Sequence, residues 1–128
     1  MYDQLDLFRI SSAMAVHAGQ RQAVIAQNVA HADTPGYVAR DIAQFATLYE
    51  GERAQLAPRA TRLGHLNGVQ AGSTKAEPFK VNHEASPDGN AVSLETEMLR
   101  SVDAKRQHDR ALAIYRSSLN VLRTALGK

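Results

Sequence analysis

The stretch Asn28-Val29-Ala30-His31-Ala32-Asp33-Thr34-Pro35-Gly36-Tyr37 ends one helical pattern and turns the chain. Asn28, His31 and Asp33 are short polar residues suited to helix ends and turns. Thr34 precedes a proline and is biased away from helical dihedrals. Pro35 and Gly36 suit the two central positions of a type II turn, proline fixing φ and glycine accepting a positive one. Tyr37 then supplies a ring that can pack back on the helix.

Upstream, Asp3 or Ser11/Ser12 can cap a first helix. Ile10, Met14, Ala18, Ile25 and Ala32 recur at helical spacings, with Arg21 and Asn28 interrupting the stripe. Beside it runs a stripe of small residues, Ala13, Val16, Ala23 and Ala30. Gly19 costs about 1 kcal/mol relative to alanine in an exposed helix and reads either as a tolerated weak point or as a close helix crossing. His17 and His31 stand alone, with no partner spaced to complete a metal site.

Downstream, residues 41–48 suit a short helix with Ile42, Phe45 and Leu48 inward, or an extended segment crossing the long helices. Glycines and prolines then punctuate residues 51–90, so long helices are not expected there. Thr61–Leu66 and Phe79–Asn82 are candidate short strands within an irregular insertion. The basic side chains of this region read as a solvated loop or a partner surface.

After Asn90 the periodicity is clearest. Ser93 is a candidate N-cap, and Glu95 and Glu97 lie in a first turn where the helix dipole favours acids. Leu94, Met98 and Val102 begin an apolar face, Asp103 to Arg110 is mostly polar, and Leu112, Tyr115, Leu119, Leu122 and Leu126 recur at coiled-coil spacing. Gly127 can end the helix. A helix from Ser93 to Leu126 is about 50 Å long. A globule of this chain length has a radius of gyration of about 14 Å. Two long helices therefore protrude from any single globule, bury one stripe each when paired, and leave apolar surface for neighbouring chains. Such a chain is expected to be poorly ordered alone and to gain order on assembly.

The motif Asn28-x-Ala30-x-x-x-Thr34-Pro35-Gly36-Tyr37 resembles the N-terminal signature of bacterial flagellar rod and hook proteins, with His31 standing where that pattern has a second asparagine. The continuation Arg40-Asp41-Ile42-x-x-Phe45, the short length, and Asp88-Gly89-Asn90-x-Val92-x-Leu94-Glu95-x-Glu97-Met98 are similar to the basal-body rod protein family FlgB rather than to the neighbouring FlgC. The likeness covers roughly residues 5–48 and 88–127. It implies a mainly α fold: long N- and C-terminal helices paired as an antiparallel coiled-coil-like core, with an irregular or short β insertion between them. The expected organisation is a core helix and turn over 1–36, a packing segment over 37–50, an insertion over 51–90 and a second core helix over 91–128.

Composition narrows the function classes. The chain has 128 residues, 44% hydrophobic and 22% charged, with aromatics at 5% and no tryptophan, so a single compact core would be thin. A net charge of +2 and a pI near 9.2 are weak support for a nucleic-acid or anionic-membrane partner. The run Lys105-Arg106-x-His108-x-Arg110 is diluted by Asp103 and Asp109. No aromatic pairs interleave with the charges of the insertion to stack bases. With no cysteine there is neither a disulfide framework nor a thiolate metal site. No apolar run suits a membrane span, and no cleaved secretory signal is expected. Catalysis is not expected either. There is no nucleophile elbow and no phosphate loop, Glu95 and Glu97 face different sides of a helix, and His108-Asp109 is a dyad in sequence alone. No cofactor or metal is expected.

Taken with the resemblance, these points imply a structural subunit of the flagellar proximal rod, polymerising through its terminal helices into the torque-transmitting shaft. The implied partners are copies of itself, the other proximal rod proteins, the rod/export adaptor and the membrane ring, reached by type III export without signal cleavage. The residues expected to carry packing and assembly are Met14, Ile25, Leu112, Tyr115, Leu119, Leu122 and Leu126. The motif turn, Asn28, Ala30, Thr34, Pro35, Gly36 and Tyr37, sets how the chain leaves the first helix. A cytoplasmic helical adaptor or export chaperone is the alternative, and a small nucleic-acid-binding protein a more distant one.

Overall fold

The structure, a computed structural model, describes residues 2–54 and 76–127, with side chains at 6–50 and 76–127. Two long helices dominate: α1, Tyr2–Ala30, and α3, Leu94–Ala125. At 1.5 Å per residue they run about 44 and 48 Å. They lie side by side and antiparallel. Phe8 near the start of α1 meets Tyr115 far along α3 edge to face at 5.2 Å, and Asn28 near the end of α1 bonds Glu97 near the start of α3. The mainly α fold with paired terminal helices and a short β element between them is the architecture the resemblance implied.

Local chemistry explains the helix ends. Ser93 caps α3, its Oγ accepting from Thr96 N–H, and Glu95 and Glu97 occupy the first turn. Arg123 lies in the last turn, and Gly127 follows at φ +69°. At the end of α1 the chain enters a tight turn in which Tyr37 N–H donates to Thr34 C=O at 3.3 Å and Gly36 takes φ +74°.

The seam between the helices repeats at heptad spacing and is mostly small residues. On α3 the buried positions are Glu97, Ala104, Ala111 and Ser118. On α1, Ser11, Ala18 and Ile25 repeat the same interval and are buried. Ala104 falls within the run Asp103–Arg110 that reads as polar. Alanine methyls let the two backbones approach closely but each removes little apolar surface from water, about 0.8 kcal/mol per methylene-sized group.

A third layer crosses the hairpin. After the turn, residues 38–43 form a strap that includes β1, Arg40–Asp41, and leads into α2, Phe45–Ala54. β1 pairs antiparallel with β2, Phe79–Lys80, in the register Arg40 with Lys80 and Asp41 with Phe79. Val38 makes a parallel bridge to Ala91. Both readings offered for residues 41–48 are thus realised in succession, with Ile42 and Phe45 buried and Leu48 half-buried. The Phe79–Asn82 strand expectation corresponds to β2, whereas the Thr61–Leu66 one lies outside the described residues.

Arg21 and Asn28, which interrupt the α1 stripe, do so because α1 has a second buried face. His17, Val24 and Asn28 are buried there and Arg21 nearly so, and this is the face the strap covers. Gly19 points away from both: a Cβ built on it meets nothing within 4 Å, so among the described residues no helix crosses it.

Candidate functional site

The strap is tied to α1 at three levels, and each tie is polar. His17 donates through Nε2–H to Ala43 C=O at 2.7 Å, its ring edge-on to Phe45 at 5.7 Å. Its Nδ1 is buried with no hydrogen-bond partner. Arg21 forks onto Asp41, Nε to Oδ1 and Nη2 to Oδ2, both at 3.1 Å. Asn28 brackets Arg40: Oδ1 accepts from Arg40 N–H at 3.0 Å and Nδ2 donates to Arg40 C=O at 2.7 Å.

These ties extend into α3 and form one polar latch across the hairpin. Asn28 Nδ2 also donates to Glu97 Oε2 at 2.9 Å, and Asn28 Oδ1 accepts from the Tyr37 hydroxyl at 3.3 Å. Asn28 and Glu97 are both 0% exposed. The other oxygen of Glu97 accepts from Arg100 at 2.8 Å, and Arg100 Nε lies 3.8 Å from Asp41. Asp41 thus faces an arginine from each long helix and also accepts from Ile42 N–H at 2.8 Å. Two acids and two arginines balance in charge, and every polar atom of the Asn28 carboxamide has a partner, as a buried amide requires.

A second tie joins the motif turn to the start of α3. Asn90 is buried, and its Nδ2 donates to His31 C=O at 3.0 Å and Thr34 C=O at 2.7 Å, capping the end of α1 from the far side of the chain. Gly36 N–H donates to Asp88 C=O at 3.2 Å. Gly89, at φ +81°, sits so close that a Cβ there would stand 3.4 Å from Gly36 Cα. Tyr37 stacks on His31 at 4.7 Å. The turn and the Asp88-Gly89-Asn90 segment, remote in sequence, are one structural unit.

Of the motif residues, Asn28 is at the centre of the latch, Tyr37 bonds it, Thr34 and Gly36 form the turn, and Ala30 and Pro35 are exposed. Of the packing residues, Ile25 is buried, Met14, Leu112, Leu119 and Leu122 are half-buried, and Tyr115 and Leu126 are exposed, Leu126 at 75%. Sequence reasoning missed Arg21, Asp41, Glu97 and Arg100 as latch members, and Asn90 as the tie between the motif turn and α3. A signal was available in Arg21 and Asn28, polar residues one heptad apart beside an apolar stripe. Their partners were not legible from spacing.

Outside the hairpin, the N-terminal third of α3 exposes Leu94, Met98, Leu99 and Val102, with Met98 at 66% and Leu99 at 65%. Val16, Val121 and Leu126 are likewise uncovered. Among the described residues no group of three His, Cys, Asp or Glu side chains could hold a metal ion, and no helix is long and apolar enough to cross a membrane. His108 Nδ1 stands 4.0 Å from Asp109 Oδ1, and both side chains are exposed.

The two terminal helices pair along their length, and the Thr34-Pro35-Gly36-Tyr37 turn follows the first of them. No protein-family model matches the chain. Curated relatives do. The chain is 30% identical over 135 residues to the flagellar basal body rod protein FlgB of Salmonella typhimurium, spanning 98% of this chain and 97% of that one. It is 33% identical over 122 residues to FlgB of Escherichia coli, covering 88% of each, and 29% identical over 116 residues to FlgB of Agrobacterium fabrum, covering 88% and 87%. The chain belongs to the FlgB family of flagellar basal body rod proteins, a structural component of the flagellum.

Proposed function

We propose that the chain is a structural subunit of the proximal rod that polymerises through its terminal helices and, in the assembled shaft, transmits torque. The observation that carries this reading is the inversion of the usual burial pattern. Along α3 the buried positions are Glu97, Ala104, Ala111 and Ser118, while Leu94, Met98, Leu99, Val121 and Leu126 stay outside. Apolar side chains left out of a subunit's own core are available to neighbours. The latch fixes how the helices and strap sit relative to one another, so each subunit presents the same outer surface. Packed, interdigitated side chains deform little, which is what a twisted shaft needs.

In this reading its partners are further copies, the other proximal rod proteins, the rod/export adaptor and the membrane ring, and it leaves the cell by type III export without a cleaved signal. The distal turns of the hairpin, held by the thin seam alone, gain order on assembly. An in-frame deletion tests the reading. It is expected to abolish swimming and assembly of everything distal to the rod, with both restored by the wild-type chain. A deletion strain that swims normally overturns it.

A further inference from the structure

His17 holds the strap to α1 through a carbonyl rather than an acid. Its ring is 1% exposed and lies edge-on to Phe45. A carbonyl can only accept, so the 2.7 Å bond to Ala43 C=O places the proton of the neutral ring on Nε2. Nδ1 is then a bare lone pair, buried and without a hydrogen-bond partner among the described residues. A second proton would turn Nδ1 into a buried donor with nothing to accept from it and would bury a cation beside Phe45. The charged groups on the surrounding elements do not compensate. On α1, Arg21 lies one turn further on and carries the same sign. In the strap, the Asp41 carboxylate is already engaged, Oδ1 by Arg21 Nε and Ile42 N–H and Oδ2 by Arg21 Nη2, with Arg100 of α3 at 3.8 Å. Glu97 of α3 is bound by Asn28 and Arg100. α2 contributes Tyr49, stacked on Phe45, and the exposed Glu50, and β2 the exposed Lys80.

We propose that His17 is a proton-sensitive lock on the strap: docking of residues 38–45 over α1 and protonation of His17 exclude one another. The undocked state binds one more proton than the docked one, so docking weakens as pH falls through the range in which an exposed imidazole titrates. The pairing of the long helices carries no such requirement at Ala104, Ala111 and Ser118, whose side chains do not titrate there. The tie between the motif turn and α3 runs through the Asn90 amide, which does not titrate either. Acid therefore loosens the strap while the hairpin stays closed. Loosening uncovers Ile42 and Phe45, both buried when the strap is docked, so the acid form presents an apolar surface that the neutral form hides. This is a property of the single subunit and stands apart from the rod reading.

Hydrogen exchange on the purified full chain, corrected for the intrinsic effect of pH, tests the lock. An exposed imidazole ordinarily titrates near about pH 6.5, so mutual exclusion raises the open fraction of the strap about tenfold between about pH 7.5 and 5.5. The protection of residues 38–44 should fall by that factor, while residues 104–111 of α3 change less than about twofold. His17→Gln keeps a donor for Ala43 C=O and has nothing to titrate, so it should abolish the fall. His31→Gln and His83→Gln should leave the fall intact. The nitrogen chemical shifts of the His17 ring give a reading that needs no variant: while the strap is docked, the ring should stay in its neutral Nε2–H form. Four results each overturn the inference: equal protection of residues 38–44 at both pH values, a fall that persists in His17→Gln, a fall shared by residues 104–111, or a His17 ring that takes up its second proton under a strap that stays protected.

Discussion

The Asn28 carboxamide stands in for a strand neighbour of Arg40, accepting from its N–H at 3.0 Å and donating to its C=O at 2.7 Å. A helix side chain thereby satisfies the backbone of a segment whose other edge pairs with β2. The same amide reaches Glu97 on α3, so one residue joins three layers. A carboxamide alone among small side chains supplies both the donors and the acceptor that this position uses.

Asn28→Ala is expected to destabilise the subunit by about 3–5 kcal/mol, because it leaves Arg40 backbone groups without partners and the buried Glu97 carboxylate with Arg100 alone. Asn28→Asp should be at least as harmful, since it loses the donor and sets a second acid against Glu97. Thermal melts of the purified variants check this. A loss below about 1 kcal/mol for both would show that the latch is not held by this residue.

Glu97→Gln keeps the shape of a fully buried side chain and removes its charge, leaving Arg100 with Asp41 as its acid at 3.8 Å. The expected loss is about 1–3 kcal/mol, less than the 3–5 kcal/mol expected for Glu97→Ala, which also abandons Asn28 Nδ2. Chemical denaturation ranks the two. Equal losses would mean that shape and hydrogen bonding contribute nothing separable from charge.

Gly36→Val forces a β-branched residue to φ +74°, a region that costs L-residues about 1–2 kcal/mol and β-branched ones more. The turn opens, and the Gly36–Asp88 bond to the start of α3 goes with it. Swimming should be impaired or lost. Normal motility in this variant would remove the role assigned to the turn.

Gly19→Ala should raise the stability of the free subunit by up to about 1 kcal/mol, since the new methyl meets nothing within 4 Å and alanine is the better helix former. A melting temperature unchanged or lowered would show that α1 is not a continuous helix through this point.

Amide hydrogen exchange should separate the two ends of the hairpin. Residues 121–126 of α3, exposed at Val121 and Leu126, are expected to exchange fast in the free subunit and slowly in the assembled rod, while amides around Asn28, Arg40 and Glu97 stay protected in both. Equal protection along α3 in the free subunit would contradict ordering on assembly.

What could be read beforehand follows the range of each interaction. The Thr34–Tyr37 turn, the Ser93 cap, the first-turn acids and the Gly127 stop depend on neighbours in sequence, and local chemistry revealed them. The seam did not show itself because alanine is at once a helix former and a packing residue, so Ala104 vanished into a polar run and the leucines after Leu112 drew the eye instead. Arg21 and Asn28 looked like interruptions because a two-helix picture has one buried face per helix, whereas the strap gives α1 a second. Glu97 was legible as a dipole-favoured acid, but its burial depends on Asn28, whose place beside it is fixed only by the antiparallel pairing. Asn90 was visible only as part of a likeness. Its bonds to His31 and Thr34 C=O span most of the chain, and no spacing rule reaches that far.

The rod reading is tested most directly by quantitative mass spectrometry of washed flagellar basal bodies, scaled to their membrane-ring proteins. The account predicts this chain at a few copies per basal body, retained through detergent extraction, with the rod lost when its gene is deleted. Finding the chain absent from basal bodies and present as a soluble cytoplasmic dimer would contradict it and favour a helical adaptor instead.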